Sequence, residues 1–212
     1  MRKHANLNAN PLVDFKKFRW FYTSKKTLVI GGKSAMQNEQ LLKEFKKSGK
    51  ELLVFHTALP GSPFAIPLKA PEKLTKQEKE EVAAFTACFS RQWRAGKSEA
   101  EVHSFKLSQI YKTKQMKEGT WGVRGVVAKQ NAKLELALTR QEGVLRAVPT
   151  GTITRGSAWK AIKNTRTKKP ITLRPGKINK EYLLAKLQVL TQEAISEREL
   201  ISALPSGGFK IE

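Results

Sequence analysis

Cysteine is nearly missing from this chain: the single Cys88 excludes an internal disulfide and any cysteine-rich zinc site. Histidine is almost as scarce, and His4, His56 and His103 stand too far apart for a metal-ligand spacing. Apolar runs are short, so none can span a bilayer. The start, Met1-Arg-Lys-His-Ala-Asn6, lacks the apolar core of a secretory signal. There is no internal repeat and no sustained heptad. These absences lead to the expectation of a cytoplasmic protein with no membrane partner, no metal and no cofactor.

Acidic residues are the last shortage. Lys and Arg number 40 against 18 Asp and Glu, which leaves a net charge of +22 and a pI near 10.2. A surface built on ion-pair networks would match acids to bases. An excess of this size calls for a polyanion, and nucleic acid is the commonest one. An anionic membrane would also attract the charge, but attachment needs an apolar insertion or a lipid as a second signal. What is present suffices for a core. Hydrophobic residues make up 40% of the chain, with ten Phe and four Trp among them. The length fits one compact domain or two small ones packed closely.

Along the chain, residues 1–14 read as a flexible lead-in. Phe18–Thr23 and Thr27–Ile30 read as two strands, stopped by Gly31-Gly32. A helix follows from Ser34, with Ser34 and Gln37 spaced like a capping box and Leu41, Leu42 and Phe45 on its apolar side. Leu52–His56 and Pro63–Leu68 are further strands; the two prolines make the second short or place it at an edge. Thr75 and Glu78 open the longest helix, whose stripe Val82, Phe85, Phe89 and Trp93 carries it to Arg94. Val102–Lys112 and Gly122–Lys129 read as strands. Leu134–Thr139 and Val144–Val148 read as a hairpin around Gln141-Glu-Gly143. Thr150–Lys169 is a mobile basic loop with Trp159 as its one large apolar group. Ile171–Leu173 can add a strand, and the end is helical, with Ser196 and Glu199 capping the last helix. The expectation is an α+β fold. A mostly antiparallel sheet with packed helices is followed by a small β-hairpin and a C-terminal helical extension, divided as 15–130 and 131–212.

Several stretches can carry chemistry. Val29-Ile-Gly-Gly-Lys-Ser34 places Lys33 beside a helix start, where free amides favour an anion. It is not a nucleotide-binding phosphate loop, because the first glycine of that motif would fall at Thr27. His56 lacks an evident carboxylate or nucleophile and reads as structural, or as a hydrogen-bonding or stacking group. Phe15–Tyr22 interleaves rings and cations, and one of its two faces is expected in the core. Arg91 and Arg94 sit at a helix end. Arg155, Lys160, Lys163, Arg166, Lys168 and Lys169 cluster in the basic loop, where they can meet phosphate.

Taken in order, Phe18–Thr23, Ile30–Glu39, His56–Ser62, Ala84–Trp93, Ser108–Lys112 and Gly119–Gly125 resemble the NFACT-R domain. That domain is the RNA-binding module of the NEMF/RqcH/fibronectin-binding-protein-A-like family. The resemblance covers about Phe18–Gly125 and departs at Ala58, where the family commonly has an acidic residue. It implies contact with structured RNA, tRNA or ribosomal RNA, with the large ribosomal subunit or a protein partner in translation or RNA modification as company. It implies phosphate or base contacts at Arg19, Lys33, Arg91, Lys112 and Arg124, and polar readers at Asn38, His56 and Gln109. Trp20 is carried over beside Arg19, and Glu39, Gly32, Gly61, Gly125 and Trp93 are expected to be largely structural. The leading function is non-enzymatic RNA binding. Its rivals are a tRNA-modification enzyme or subunit, with His56 and Ser90 near the chemistry, and general charge-driven binding of nucleic acid.

Overall fold

A computed structural model describes residues 14–212, so the expected lead-in lies outside the described residues apart from Asp14. Strands β1 (Arg19–Tyr22) and β2 (Leu28–Gly31) pair as a hairpin with Arg19 opposite Gly31. Helix α1 (Ala35–Lys47) begins at Ser34, whose hydroxyl accepts from the Gln37 N–H. The Gln37 side chain reaches back one residue further than in a capping box and accepts from the Lys33 N–H at 2.9 Å. Strands β3 (Leu53–Thr57) and β4 (Ala65–Pro67) follow. β4 is short, as its prolines require, yet it lies inside the sheet between β2 and β3, which corrects the edge placement. Pro63 falls before the strand and Pro67 at its last position, so neither interrupts a ladder that continues.

Helix α2 (Lys76–Cys88) starts with a complete capping box between Thr75 and Glu78. The stripe to Arg94 is not one helix. Ser90 turns extended and its hydroxyl accepts from the Gln92 N–H at 3.0 Å, which starts a separate turn, α3 (Arg91–Arg94). Serine offers the backbone this local alternative to helix continuation. β5 (Glu99–Lys106), β6 (Ile110–Tyr111), β7 (Gly122–Val123) and β8 (Ala128–Lys133) replace the two long strands expected here. Gln109 causes both breaks. Its side chain accepts from the Lys106 N–H and donates to the carbonyls of Arg124 and Val126, so each segment bends at that amide.

β9 (Leu136–Gln141) and β10 (Val144–Pro149) form the expected hairpin. Its two-residue turn places Glu142 and Gly143 at φ 51° and 74°, the left-handed pair whose twist matches the strands. β11 (Thr172–Ile178) continues through Pro175-Gly176 by means of a register shift against β12 (Phe209–Ile211), a strand too short to signal itself. Between them lie α4 (Lys180–Leu190) and α5 (Glu197–Ala203), the latter with the expected Ser196–Glu199 capping box. The sheets run β1-β2-β4-β3-β5-β8 and β10-β9-β11-β12, with β6-β7 as a small ribbon, and every pairing is antiparallel. The fold is α+β.

Strand alternation builds two cores. Ile30, Val54, Ile66 and Phe105 face α1 with Leu41, Leu42 and Phe45. Their neighbours Val29, Phe55 and Ala65 face α2 with Val82 and Phe85, in the same cluster as Leu136, Leu145, Leu183 and Phe209. Helix α2 is thus packed between the larger sheet and the hairpin strand β10. Of the aromatic run, Phe18, Trp20 and Phe21 are all buried, so both faces of β1 are covered rather than one.

A helix covered on both sides must satisfy its carboxylates internally. Glu78 is fully buried and accepts from Thr23, Thr27, Thr75 and Lys69. Burial pushes its carboxyl up, but these hydrogen bonds together outweigh it and hold the pKa at about 2. Glu81, one turn on, accepts from both donors of Ser24 and from Thr152, and there burial wins and raises its pKa. The pair ties the β1–β2 turn to α2 and, through Thr152, to the second section. Trp159 adds a bond from its indole N–H to the Thr23 carbonyl at 2.9 Å and stacks on Tyr22. The basic segment after Thr150 is therefore anchored, not a free loop.

A lowered carboxyl stabilises above its unfolded pKa and loses that contribution as pH falls; a raised one does the reverse. Glu78→Gln should lower the unfolding free energy by about 3 kcal/mol at pH 7, the usual cost of breaking one side of a buried pair. Glu81→Gln should cost less, about 1 kcal/mol, because burial already disfavours its charged form while one acceptor oxygen is still lost. Urea unfolding checks both. Wild-type stability should also decline as pH drops from 4.5 toward 2, with a shallower decline in Glu78→Gln; equal losses in the two variants would refute the assignment.

Candidate functional site

Four connections meet at one end of the larger sheet: the β2–α1 loop, the β3–β4 loop, the α2–α3 junction and the segment leading into β7. They surround, together with Arg19 of β1, an open cavity of about 670 Å³. Its walls are held by backbone fits. A Cβ on Gly32 would stand 2.3 Å from Asn38 Oδ1, so only glycine lets α1 start this close to the turn. Asn38 then grips the β3–β4 loop from both sides. Its Nδ2 donates to the Ser62 carbonyl at 3.2 Å, and its Oδ1 accepts from the Phe64 N–H at 3.0 Å. Across the loop, the Gly61 carbonyl accepts from the Arg91 N–H at 3.0 Å. Gly61 is left-handed at φ 105°, and the Arg91 side chain occupies the space a Cβ would need.

Arg19, Lys33 and Arg91 bring positive charge to this cavity, and Glu118 is the one carboxylate in its lining. Rings supply the rest: Phe64, Phe89, Phe105 and Trp121. The Arg19 guanidinium lies over the Phe89 ring at 4.8 Å, and burial pushes its pKa down. His56 tilts against Phe64 at 4.6 Å, and its Nδ1 sits 2.7 Å from the Thr57 carbonyl. A carbonyl only accepts, so Nδ1 carries the proton and Nε2 of the neutral ring keeps the lone pair. Burial lowers the His56 pKa, the Thr57 bond opposes that, and His103, paired opposite on β5, lowers it further. Among the described residues, no group of three or more His, Cys, Asp or Glu is placed to hold a metal ion.

Of the residues singled out from the sequence, the cavity gathers Arg19, Lys33, Asn38, His56 and Arg91. Asn38 is buried with its amide committed to the loop, so it shapes the site rather than reading a ligand. Trp20 is corrected outright: its ring is 2% exposed and no base can stack on it. Gln109 is engaged with three backbone groups, and Lys112 pairs with Glu39 and lies over Trp121. Glu39 also accepts from the Gly119 N–H at 2.9 Å and from Lys43. The hydrogen bond from Lys112, then those from Gly119 and Lys43, hold its pKa at about 2. Both Gln109 and Lys112 therefore hold loops. Arg124 is exposed, its guanidinium 4.4 Å over the Tyr111 ring. Arg155, Lys160 and Lys163 are exposed and do not line this cavity.

Phe64, Phe89, Trp121 and His103 were not legible as site residues. Phe89 belongs to the helical stripe and reads as core; it reaches the cavity because the helix breaks after it. Trp121 sits in Gly119–Gly125, a stretch that carries the family resemblance but in which that resemblance implies a contact only at Arg124.

Residues 17–125 match the family described as "NFACT protein RNA binding domain". The "Archaeal Rqc2 homolog aRqcH" of Methanocaldococcus jannaschii is 29% identical over 207 residues, 93% of this chain and 29% of that protein. The "Ribosome quality control complex subunit NEMF" of Mus musculus is 31% identical over 83 residues, covering 38% of this chain and 8% of the relative. The human protein of that name matches over the same length, covering 7% of itself. The chain thus spans less than a third of each of these relatives. The solved structure of the C-terminal part of the fibronectin/fibrinogen-binding protein from Streptococcus suis aligns with 55% of this chain and 44% of its own. That likeness is partial, with a TM-score of 0.46 and 26% identity. Among the described residues, no helix is long and apolar enough to cross a membrane.

A histidine with a lowered folded pKa contributes fully above the unfolded value of 6.5, and that contribution is lost as pH falls below it. An NMR titration of the His56 ring should therefore give a pKa below 6.5, and His56→Gln should flatten the acid side of the stability profile between 6.5 and that value. A ring that titrates above 6.5 would contradict the geometry.

Proposed function

This chain belongs to the NFACT protein RNA binding domain family, and from that membership we propose that it is a non-enzymatic binder of structured RNA, tRNA or ribosomal RNA. One observation carries the reading. Arg19, Lys33 and Arg91 share a cavity with Phe64, Phe89 and Trp121, against a single carboxylate. RNA-specific recognition commonly takes unstacked bases from loops and ends, holding their faces on rings and their phosphates on cations. A cavity of about 670 Å³ has the volume for one splayed nucleotide. The neutral His56 offers an Nε2 lone pair to a donor such as a 2′-hydroxyl. The ribosome quality control relatives make the large ribosomal subunit or its tRNA the natural place to look for the ligand, within a cytoplasmic setting.

The absence of an activated nucleophile supports a binding role. Ser90, singled out from the sequence, is buried, donates to the Ala87 carbonyl and accepts from the Gln92 N–H, and Ser62 in the lining accepts from the Thr57 N–H and donates to the Pro63 carbonyl. Position 58, two residues after His56, is alanine, and the His56 Nδ1 is held by the Thr57 carbonyl rather than by a carboxylate. Purely charge-driven binding accounts for the cations but leaves the rings around them without a role.

Fluorescence anisotropy with a tRNA, a ribosomal RNA hairpin and heparin, each over a salt series, tests the reading. RNA affinity should fall steeply with salt. Lys33→Ala and Arg91→Ala should each weaken RNA binding about 5- to 10-fold at unchanged melting temperature. His56→Gln should keep most of the affinity, and mass spectrometry should find no modified nucleoside or cleavage product that depends on it. Equal affinity for heparin and RNA at physiological salt would leave only charge. A product made by wild type and lost in His56→Gln would make the protein an enzyme.

A further inference from the structure

Arg146 lies on β10, beyond the family-matched residues, yet its guanidinium stacks on the Trp20 ring with Cζ 3.9 Å from the centroid. Trp20 is the neighbour of Arg19 and pairs with Ile30, just before Gly31-Gly32-Lys33. Arg146 also lies close enough to Lys33, a lining residue of the cavity, for its charge to act there. Lys180 at the start of α4 lies close enough to Arg19 for the two charges to repel. Burial lowers the Lys33 pKa first, and the charges of Arg19 and Arg146 add to it. For Lys180, burial again leads and Arg19 follows, with the adjacent Glu181 opposing. Burial alone pushes Arg146 down to about 10.

None of Arg19, Lys33, Arg146 and Lys180 forms an ion pair among the described residues. The carboxylates in reach are Glu181, beside Lys180 in the chain, and Glu118 in the cavity lining. Two donors next to each other, Arg146 Nε and Trp20 Nε1, are buried with no acceptor. An unpaired buried donor costs free energy, and like charges gathered in one half-buried place repel. Both penalties vanish when an anion with several acceptor oxygens sits among them. Two guanidiniums and two ammoniums exceed what these two carboxylates can balance, and they match the tetrahedral, multiply accepting oxygens of phosphate.

We infer that Arg19, Lys33, Arg146 and Lys180 form a phosphate socket built jointly by the two sections of the chain. The inference rests on the RNA-binding reading for its main guest, an RNA phosphate entering with a nucleotide in the adjoining cavity. A free phosphate or pyrophosphate ion shares the chemistry. On this view the second section is part of the binding site and supplies half of the socket's charge.

The test compares wild type, Arg146→Gln and Lys180→Gln, with the exposed Lys50→Gln as a control. Thermal melts are run with inorganic phosphate and with pyrophosphate against chloride at matched ionic strength. RNA affinity is measured with 5′-phosphorylated and dephosphorylated oligomers. Phosphate should raise the wild-type and Lys50→Gln melting temperatures beyond the chloride effect, and the increment should fall by about half or more in the two socket variants. Their RNA affinity should drop about 5- to 10-fold. Arg146→Gln should melt no lower than wild type in phosphate-free buffer, because repulsion is relieved. Sensitivity of wild type to the 5′ group identifies a terminal phosphate as guest; indifference to it identifies a backbone phosphate. If Arg146→Gln does not fold, Lys180→Gln reads the same quantities from the surface. Wild-type RNA affinity in both variants, with no phosphate-specific shift, overturns the socket and leaves RNA binding standing. A phosphate-specific shift lost in the variants, in a protein that binds no RNA, keeps the socket for free phosphate and overturns the proposed function.

Discussion

The constraint on which the structure depends is the burial of α2 on two sides. A helix pressed between a six-stranded sheet and a second sheet has no solvent for polar groups on its two packed faces. Glu78 and Glu81 must therefore find donors, and they find them in the β1–β2 turn. That turn sets the position of β1, and β1 carries Arg19. At the other end of α2, Phe89 and the restart at Ser90 place Arg91 against Gly61. Both cationic walls of the cavity thus inherit their positions from one helix.

The same logic explains why so many polar residues near the site do not face it. Asn38, Gln109 and Lys112 hold the β3–β4 loop, the bends beside β6 and β7, and the loop before Trp121. Loops that line a cavity have no ladder of their own, so their backbone groups need side-chain partners. A site made of loops consumes polar side chains in its construction, and what remains to meet a ligand is a smaller set: Arg19, Lys33, Arg91, His56 and the rings.

The sequence showed the elements well where a local signal was strong. The capping pairs Thr75–Glu78 and Ser196–Glu199, the glycine turn at Gly143 and the alternation in β2 and β3 all read through directly. It was silent where tertiary contacts decide. Pro67 could join an interior strand only because the ladder ends there, and β12 exists because β11 offers it an edge. For the candidate site, charge and family motifs pointed to loops that the fold gathers around one cavity, but not to the division of labour within them. Amide and ammonium groups look alike in a sequence whether they pin a loop or wait for a ligand. Trp20 misled for a related reason: a ring beside an arginine resembles a stacking platform until a second sheet covers it.

The larger sheet ends in two different ways. Along the outer side of β1, the Gln141 side chain stands in for a strand: its Oε1 accepts from the Tyr22 N–H at 2.7 Å and its Nε2 donates to the Tyr22 carbonyl at 2.8 Å. Along the far side, β8 is mostly exposed, with Lys129 and Lys133 among its outward residues. An uncapped strand margin is a template for other chains, and amide capping and lysine charge are two ways to deny it. The stretch Arg19-Trp-Phe-Tyr22, the most adhesive margin the sheet has, receives the more permanent of the two. One side-chain amide thus closes the outer margin at Tyr22, where a backbone pair would otherwise stand open to a neighbouring strand.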